Sequence, residues 1–296
     1  NMNFSSRTSS ADIRSSLAEK LTKRSGKNVG PTVGTQLIIY IDDMHMPNFD
    51  NEGTQQPLAF LKFLVEKGYY FDMTTLEEQV VLDTTYLGAM QPPGGGRQPT
   101  DPRFMSLFCC FNITFPSDES LRHIFKSIIN KQVEEYETEI KEATSNITEA
   151  TLKLHYRVIE RLPRTPVKFH YIFNLRDLSR VFEGLYQSTQ EMFETLPQFV
   201  KLWRNEAIRV YGDRLIDDSD RKVVIEEIIP DIVENYFKEQ AEYALQEPLL
   251  FGDFRNADPV EQENPEPRLY EDLGDYETVT EKFKKLLEEY NEEKVP

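Results

Sequence analysis

The sequence predicts an α/β fold, a largely parallel sheet with its helices, followed by an all-helical domain. Two observations carry this. In the first half, short apolar runs without polar alternation, 36–44 (QLIIYIDDM) and 84–90 (TTYLGAM), alternate with amphipathic segments, the pattern of strands in a parallel layer. Beyond about residue 135 every patterned segment has helical period and no strand pair is visible.

The elements follow in order. Segment 9–24 (SSADIRSSLAEKLTKR) opens on small polar capping residues and carries Ile13, Leu17 and Leu21 on one stripe, so it predicts an amphipathic helix. A Gly/Pro loop, 25–34, leads into the run 36–44, whose lack of alternation predicts a strand covered by helices on both sides. Segment 56–67 (QPLAFLKFLVEK) predicts a helix, 84–90 a second strand, 92–97 (PPGGGR) a turn-rich loop and 108–115 (FCCFNITF) a third strand. A helix begins near Ser117. Segments 147–162, 174–185, 196–215 and 220–245 predict the helical half. Residues 246–277 are Pro-rich and acidic, and 281–292 predict a charged helix.

Composition narrows the function. Thirty-four Lys+Arg against 51 Asp+Glu give a net charge of −17, which argues against gripping phosphate backbones or anionic lipid, so neither nucleic acid nor membrane is an expected partner. No uncharged stretch approaches the roughly 18 residues of a membrane span. The two cysteines, Cys109 and Cys110, are adjacent and poor candidates for bridging each other, which points to a reducing compartment. The four histidines lack metal-ligand spacing and are expected at surface or packing positions. The opening NMNFSSRTSS has no targeting pattern and predicts a chain that begins mid-domain.

Four clusters bear on chemistry. The strand 36–44 ends in Asp42 and Asp43, at the carboxyl edge where parallel sheets bind ligands. One acid there can hold the water shell of Mg²⁺ and the next can orient an attacking water, a Walker B arrangement; taken alone, the pair better suits a strand end opening a turn. Gln91 follows the next strand, where a polar side chain can reach a γ-phosphate or the attacking water. The glycines after it lack G-x-x-x-x-G-K-[ST] spacing and form no phosphate loop. Arg103, on a turn before the expected third strand, can be presented to a neighbouring subunit, or be structural. Arg176 lies in the first turn of a helix capped by Asn174, where its charge opposes the dipole; a phosphate, or a salt bridge to Asp177 or to a sheet carboxylate, would give it a purpose.

Together these features resemble the AAA+ ATPase family. The blocks IIYIDDMHMPNFDNEGTQQPLAFLKFL, AMQPPGGGRQPTDPRF, KFHYIFNLRDLSRVFEG and LWRNEAIRVYGDRL resemble a dynein heavy chain, most nearly the third AAA+ module of an axonemal type, over nearly the whole chain. The resemblance implies a large α/β subdomain over 1–140, truncated at its N-terminus and lacking the P-loop strand. It implies an all-α small (lid) subdomain over 141–296, with the acidic Pro-rich segment and a linker helix towards the next module. It places Asp42 and Asp43 on Walker B, with Asp42 at the metal, Gln91 on sensor 1, Arg176 on sensor 2 at the nucleotide, and Arg103 near the arginine finger facing the preceding module. Asp43 stands where Glu is common, and Gln91 where Asn is more usual. The implied ligands are ATP or ADP with Mg²⁺, at a site completed by residues upstream, so this segment alone is expected to be inactive.

The resemblance further implies neighbouring AAA+ modules of the same heavy chain, dynein intermediate and light chains, and a microtubule reached through a stalk elsewhere in the polypeptide as partners. The expected setting is the cytoplasm and cytoskeleton, in the axoneme of a cilium or flagellum. Three functions stay open: a regulatory nucleotide-binding module of a minus-end-directed motor, an active ATPase, and a catalytically inactive AAA+ scaffold.

Overall fold

The computed structural model describes residues 1–92, 99–254 and 268–294, and divides into two units, Asn1–Thr114 and Phe115–Pro296.

In the first unit, β1 (Met2–Asn3), β4 (Leu37–Asp42) and β7 (Thr84–Gly88) form a parallel sheet in the order β1-β4-β7. Its register pairs Met2 with Ile41, and Leu37 through Ile41 with Thr84 through Gly88. Helix α1 (Ser10–Lys20) starts on a capping box: the Ser9 hydroxyl accepts from the Asp12 N–H while the Asp12 carboxylate accepts from the Ser9 N–H. Helix α2 (Gln56–Lys67) begins with Pro57 in its first turn and ends on Gly68 at φ 76°, a left-handed C-cap that only glycine adopts freely. Both helices bury their stripes, Ile13 and Leu17 from α1 and Leu58, Leu61 and Leu64 from α2, in one core with Ile39 and Ile41 of β4. Each such leucine contributes about 1.5–3 kcal/mol by burial.

The expectation of helices on both sheet faces is corrected. Ile38 and Leu87, on the opposite face, are 65% and 55% exposed. The sequence also passed over a second, mixed sheet, β2-β3-β6-β5, made of β2 (Thr22–Lys23), β3 (Asn28–Gly30), β5 (Tyr69–Phe71) and β6 (Glu78–Val81). The glycine run 94–96 lies outside the described residues. Next comes a short helix, α3 (Pro102–Met105). The third strand expected at 108–115 does not form: Phe111, Ile113 and Phe115 are 83%, 90% and 59% exposed. A strand needs a ladder partner as well as an apolar pattern, and the described residues supply none beside this segment.

The second unit contains α4 (Asp118–Gln132), α5 (Thr138–Arg161), α6 (Leu175–Tyr186), α7 (Leu196–Ala207), α8 (Asp218–Lys222), α9 (Ile229–Tyr236), α10 (Ala241–Ala244) and α11 (Tyr276–Lys294), with a small ribbon of β8 (Phe251–Gly252) and β9 (Glu271–Asp272). Helix α4 was expected in the α/β part, up to residue 140. Its stripe, Leu121, Phe125 and Ile129, instead packs in the helical core, with Phe125 stacked on Phe182 of α6 at 4.6 Å, so the units divide at 114/115. Trp203 is fully buried and donates its indole N–H to the Thr151 hydroxyl at 2.8 Å.

Among the described residues, two π-helical turns interrupt this half, Ile208–Gly212 after α7 and Val223–Ile228 between α8 and α9. Pro230 stands in the first turn of α9. Having no N–H, it withdraws a donor from the ladder at the point where the wider turn gives way to the α-helix.

Candidate functional site

The carboxyl edge of β4 is built by a turn that Asp42 and Asp43 make together. Asp42 Oδ1 accepts the Asp43 N–H at 3.0 Å, and the Asp43 carbonyl accepts the Met46 N–H at 2.9 Å. Asp43 lies at φ 53°, a left-handed conformation that non-glycine residues rarely hold and that Asp and Asn tolerate better than most. Both carboxylates are half-buried at the lip of the sheet.

Beyond the ladder, the ends of β4 and β7 are stitched together. Ala89 donates to the Ile41 carbonyl at 2.8 Å and Met44 to the Ala89 carbonyl at 3.1 Å. The Gln91 N–H then meets Nδ1 of His45 at 3.4 Å, while the Gln91 side chain is exposed. Gly88 permits this approach, because a Cβ there would stand 2.5 Å from the Met44 sulfur. Asp42, Asp43 and Gln91 are thus brought to one edge of two adjacent parallel strands. His45 is buried at 1% exposure and is the link that sequence reading assigned to a surface or packing position. Its place three residues after Asp42 was the available signal.

Arg103 stands on α3 rather than before a strand. Asp101 caps this turn by accepting the Arg103 N–H at 2.9 Å, Phe104 anchors it at 1% exposure, and Lys62 pairs with Asp101 at 3.7 Å. The Arg103 side chain is exposed.

In the helical unit, Arg176 occupies the first turn of α6. Its N–H donates to Asn174 Oδ1 at 2.9 Å, and Asp177 closes the capping box by accepting the Asn174 N–H at 2.8 Å. The salt bridge to Asp177 weighed for Arg176 is made by other residues: Asp177 pairs with Arg214 at 3.0 Å and Arg180 at 3.7 Å. Arg176 is exposed and has no ion pair among the described residues. Beneath α6, His155 Nδ1 lies 3.0 Å from the Tyr211 hydroxyl. Burial holds His155 below its ordinary 6.5, against a smaller opposing pull from Asp177, and burial also pushes the Tyr211 phenol up.

The described residues contain no cluster of three or more His, Cys, Asp or Glu able to hold a metal alone. The donor set at β4 is two carboxylates. That suits Mg²⁺, which keeps water and shares its site with substrate phosphates, better than zinc or calcium.

A family profile described as the P-loop containing dynein motor region matches residues 1–116, and one described as an AAA+ lid domain matches residues 147–246. Human dynein axonemal heavy chain 10 is 46% identical over 292 residues, 98% of this chain and 6% of that protein. The dynein-1-alpha heavy chain of the flagellar inner arm I1 complex of Chlamydomonas reinhardtii is 44% identical over 302 residues, 100% of this chain and 6% of that protein. Human dynein axonemal heavy chain 2 is 33% identical over 292 residues. The chain therefore spans about 6% of the length of these curated relatives.

Proposed function

The chain carries dynein heavy-chain motor sequence with its AAA+ lid, similar to axonemal heavy chains, and on that premise we propose that it is a nucleotide-binding regulatory AAA+ module, the third of its motor ring. The observation that carries this reading is the shared edge of β4 and β7, where Asp42, Asp43 and Gln91 stand on two strands stitched by the Gln91–His45 hydrogen bond.

ATP or ADP is the proposed ligand, with Mg²⁺ held through Asp42. Asp43 orients the attacking water, Gln91 contacts the γ-phosphate end, and Arg176 supplies a positive charge to the phosphates. Arg103 faces the nucleotide of the preceding module. Residues upstream of Asn1 complete the phosphate cradle. The nucleotide state biases how neighbouring modules engage, a coupling role in a microtubule motor of the ciliary or flagellar axoneme. Neighbouring modules and the intermediate and light chains are its proposed protein partners. The microtubule is met by a stalk elsewhere, because a segment of charge −17 is repelled by an acidic track.

The inactive scaffold is the second reading. On its side stands an apolar groove of about 310 Å³ between α4 and α6, lined by Phe125, Ile128, Phe182 and Tyr186. Photolabelling of the full-length heavy chain with 8-azido-ATP, with the labelled peptides mapped, separates the two. Label in this module that is weakened in Arg176→Ala supports nucleotide binding; no label here supports the scaffold. With label present, slower phosphate release in Asp43→Asn assigns hydrolysis to this site, and equal rates remove Asp43 from that role.

A further inference from the structure

Arg214 holds the start of α6 from outside it. One Nη of its guanidinium donates to Asp177 Oδ1 at 3.0 Å, and the other donates to the carbonyls of His170 and Ile172 at 3.2 Å each. The same group lies 4.9 Å from the centroid of the Phe173 ring. A single planar fork therefore fixes the residues that lead into the Asn174 cap and the acid that closes the capping box. Arg176 sits between those two fixed points.

Such reinforcement exceeds what a surface helix needs. The capping box already satisfies the N–H groups of Asn174 and Arg176, and Asp177 already complements the dipole. Arg176, by contrast, is placed against the dipole, exposed and without an ion pair among the described residues. Its first turn is held rigidly while its own charge is left available. The route by which Arg214 arrives points the same way. It follows the π-helical turn Ile208–Gly212 by two residues, and that turn also carries Tyr211 to His155. A π turn shifts the phase of everything after it, is costly to keep, and recurs where a side chain must be aimed.

We propose that Arg214 is a positioning residue for Arg176: through Asp177 and the carbonyls of His170 and Ile172 it fixes the first turn of α6 so that the Arg176 guanidinium is pre-oriented towards nucleotide phosphate. The proposal rests on the reading of Arg176 as a phosphate contact. Asp177 is the relay, since it joins the fork of Arg214 to the cap on the other side of Arg176.

The test is a double-mutant cycle in the full-length heavy chain, with the affinity of this module read from the concentration dependence of 8-azido-ADP labelling of its peptides. Arg214→Met is expected to weaken labelling about tenfold, the scale on which partners that orient a binding side chain act. Arg214→Lys keeps the charge but serves fewer acceptors, and falls between Met and wild type. Asp177→Asn retains a capping oxygen, loses the ion pair and reproduces the Arg214→Met loss. It also stands in for Arg214→Met should that variant fail to fold. In an Arg176→Ala background, each of these substitutions changes affinity less than twofold. The same tenfold loss in both backgrounds, or unchanged affinity in Asp177→Asn and Arg214→Met while Arg176→Ala weakens labelling, overturns the proposal alone. Labelling unchanged by Arg176→Ala overturns the phosphate reading of Arg176 and the positioning role with it.

Discussion

The Gln91 N–H and His45 Nδ1, 46 residues apart in sequence, meet at 3.4 Å and pin the segment after β7 to the turn after β4. His45 is buried, so its loss removes both a hydrogen bond and packing. His45→Ala is expected to lower stability by about 1–3 kcal/mol, the loss of a buried ring's packing together with a part-buried hydrogen bond, measured as a shift in the urea midpoint. Labelling by 8-azido-ATP falls with it, because the edge that presents Gln91 is no longer fixed.

Gly184 lies inside α6, where alanine ordinarily gains about 1 kcal/mol in helix propensity. Here the sign reverses. A Cβ at Gly184 would stand 1.9 Å from Glu206 Oε2 and 2.6 Å from its Cγ. Glu206 is buried and held by Arg209 and by the Tyr270 hydroxyl at 2.8 Å, so it has little room to withdraw. Gly184→Ala should destabilise by about 1–3 kcal/mol, as overpacking does. A thermal melt showing stabilisation would remove Glu206 from that role.

His155 gives the helical unit a pH dependence of known sign. Its folded pKa is depressed by burial below the 6.5 of the free side chain, so the folded state binds fewer protons than the unfolded one. Stability from this group is full above pH 6.5 and is lost as pH falls from there towards the folded value, with a slope of at most about 1.4 kcal/mol per pH unit. His155→Gln should flatten the fall in unfolding free energy between pH 7 and 5, whereas an unchanged slope would place the titrating group elsewhere.

Much of this architecture was legible where local chemistry and pattern agree. The segment 56–67 read as a helix coincides with α2, and Asn174 marked the start of α6. Strands β5 and β6 were missed because runs of three and four residues carry too little pattern to register. Segment 108–115 misled for the opposite reason: its apolar pattern is strong, but pairing depends on a neighbour that pattern does not report. The candidate site was legible in its acids, which sit at a strand end, and not in its supports. His45 and Arg214 act through contacts 46 and 37 residues away, invisible to any local window.

Nucleotide binding at the β4–β7 edge is tested most directly by 8-azido-ATP labelling of this module in the full-length heavy chain, wild type against Asp42→Asn, with Mg²⁺ present and with Mg²⁺ chelated. Asp42 acting through the metal predicts about a tenfold weaker apparent affinity for the variant in Mg²⁺ and little difference without it. Equal affinities of variant and wild type in Mg²⁺ would contradict the assignment.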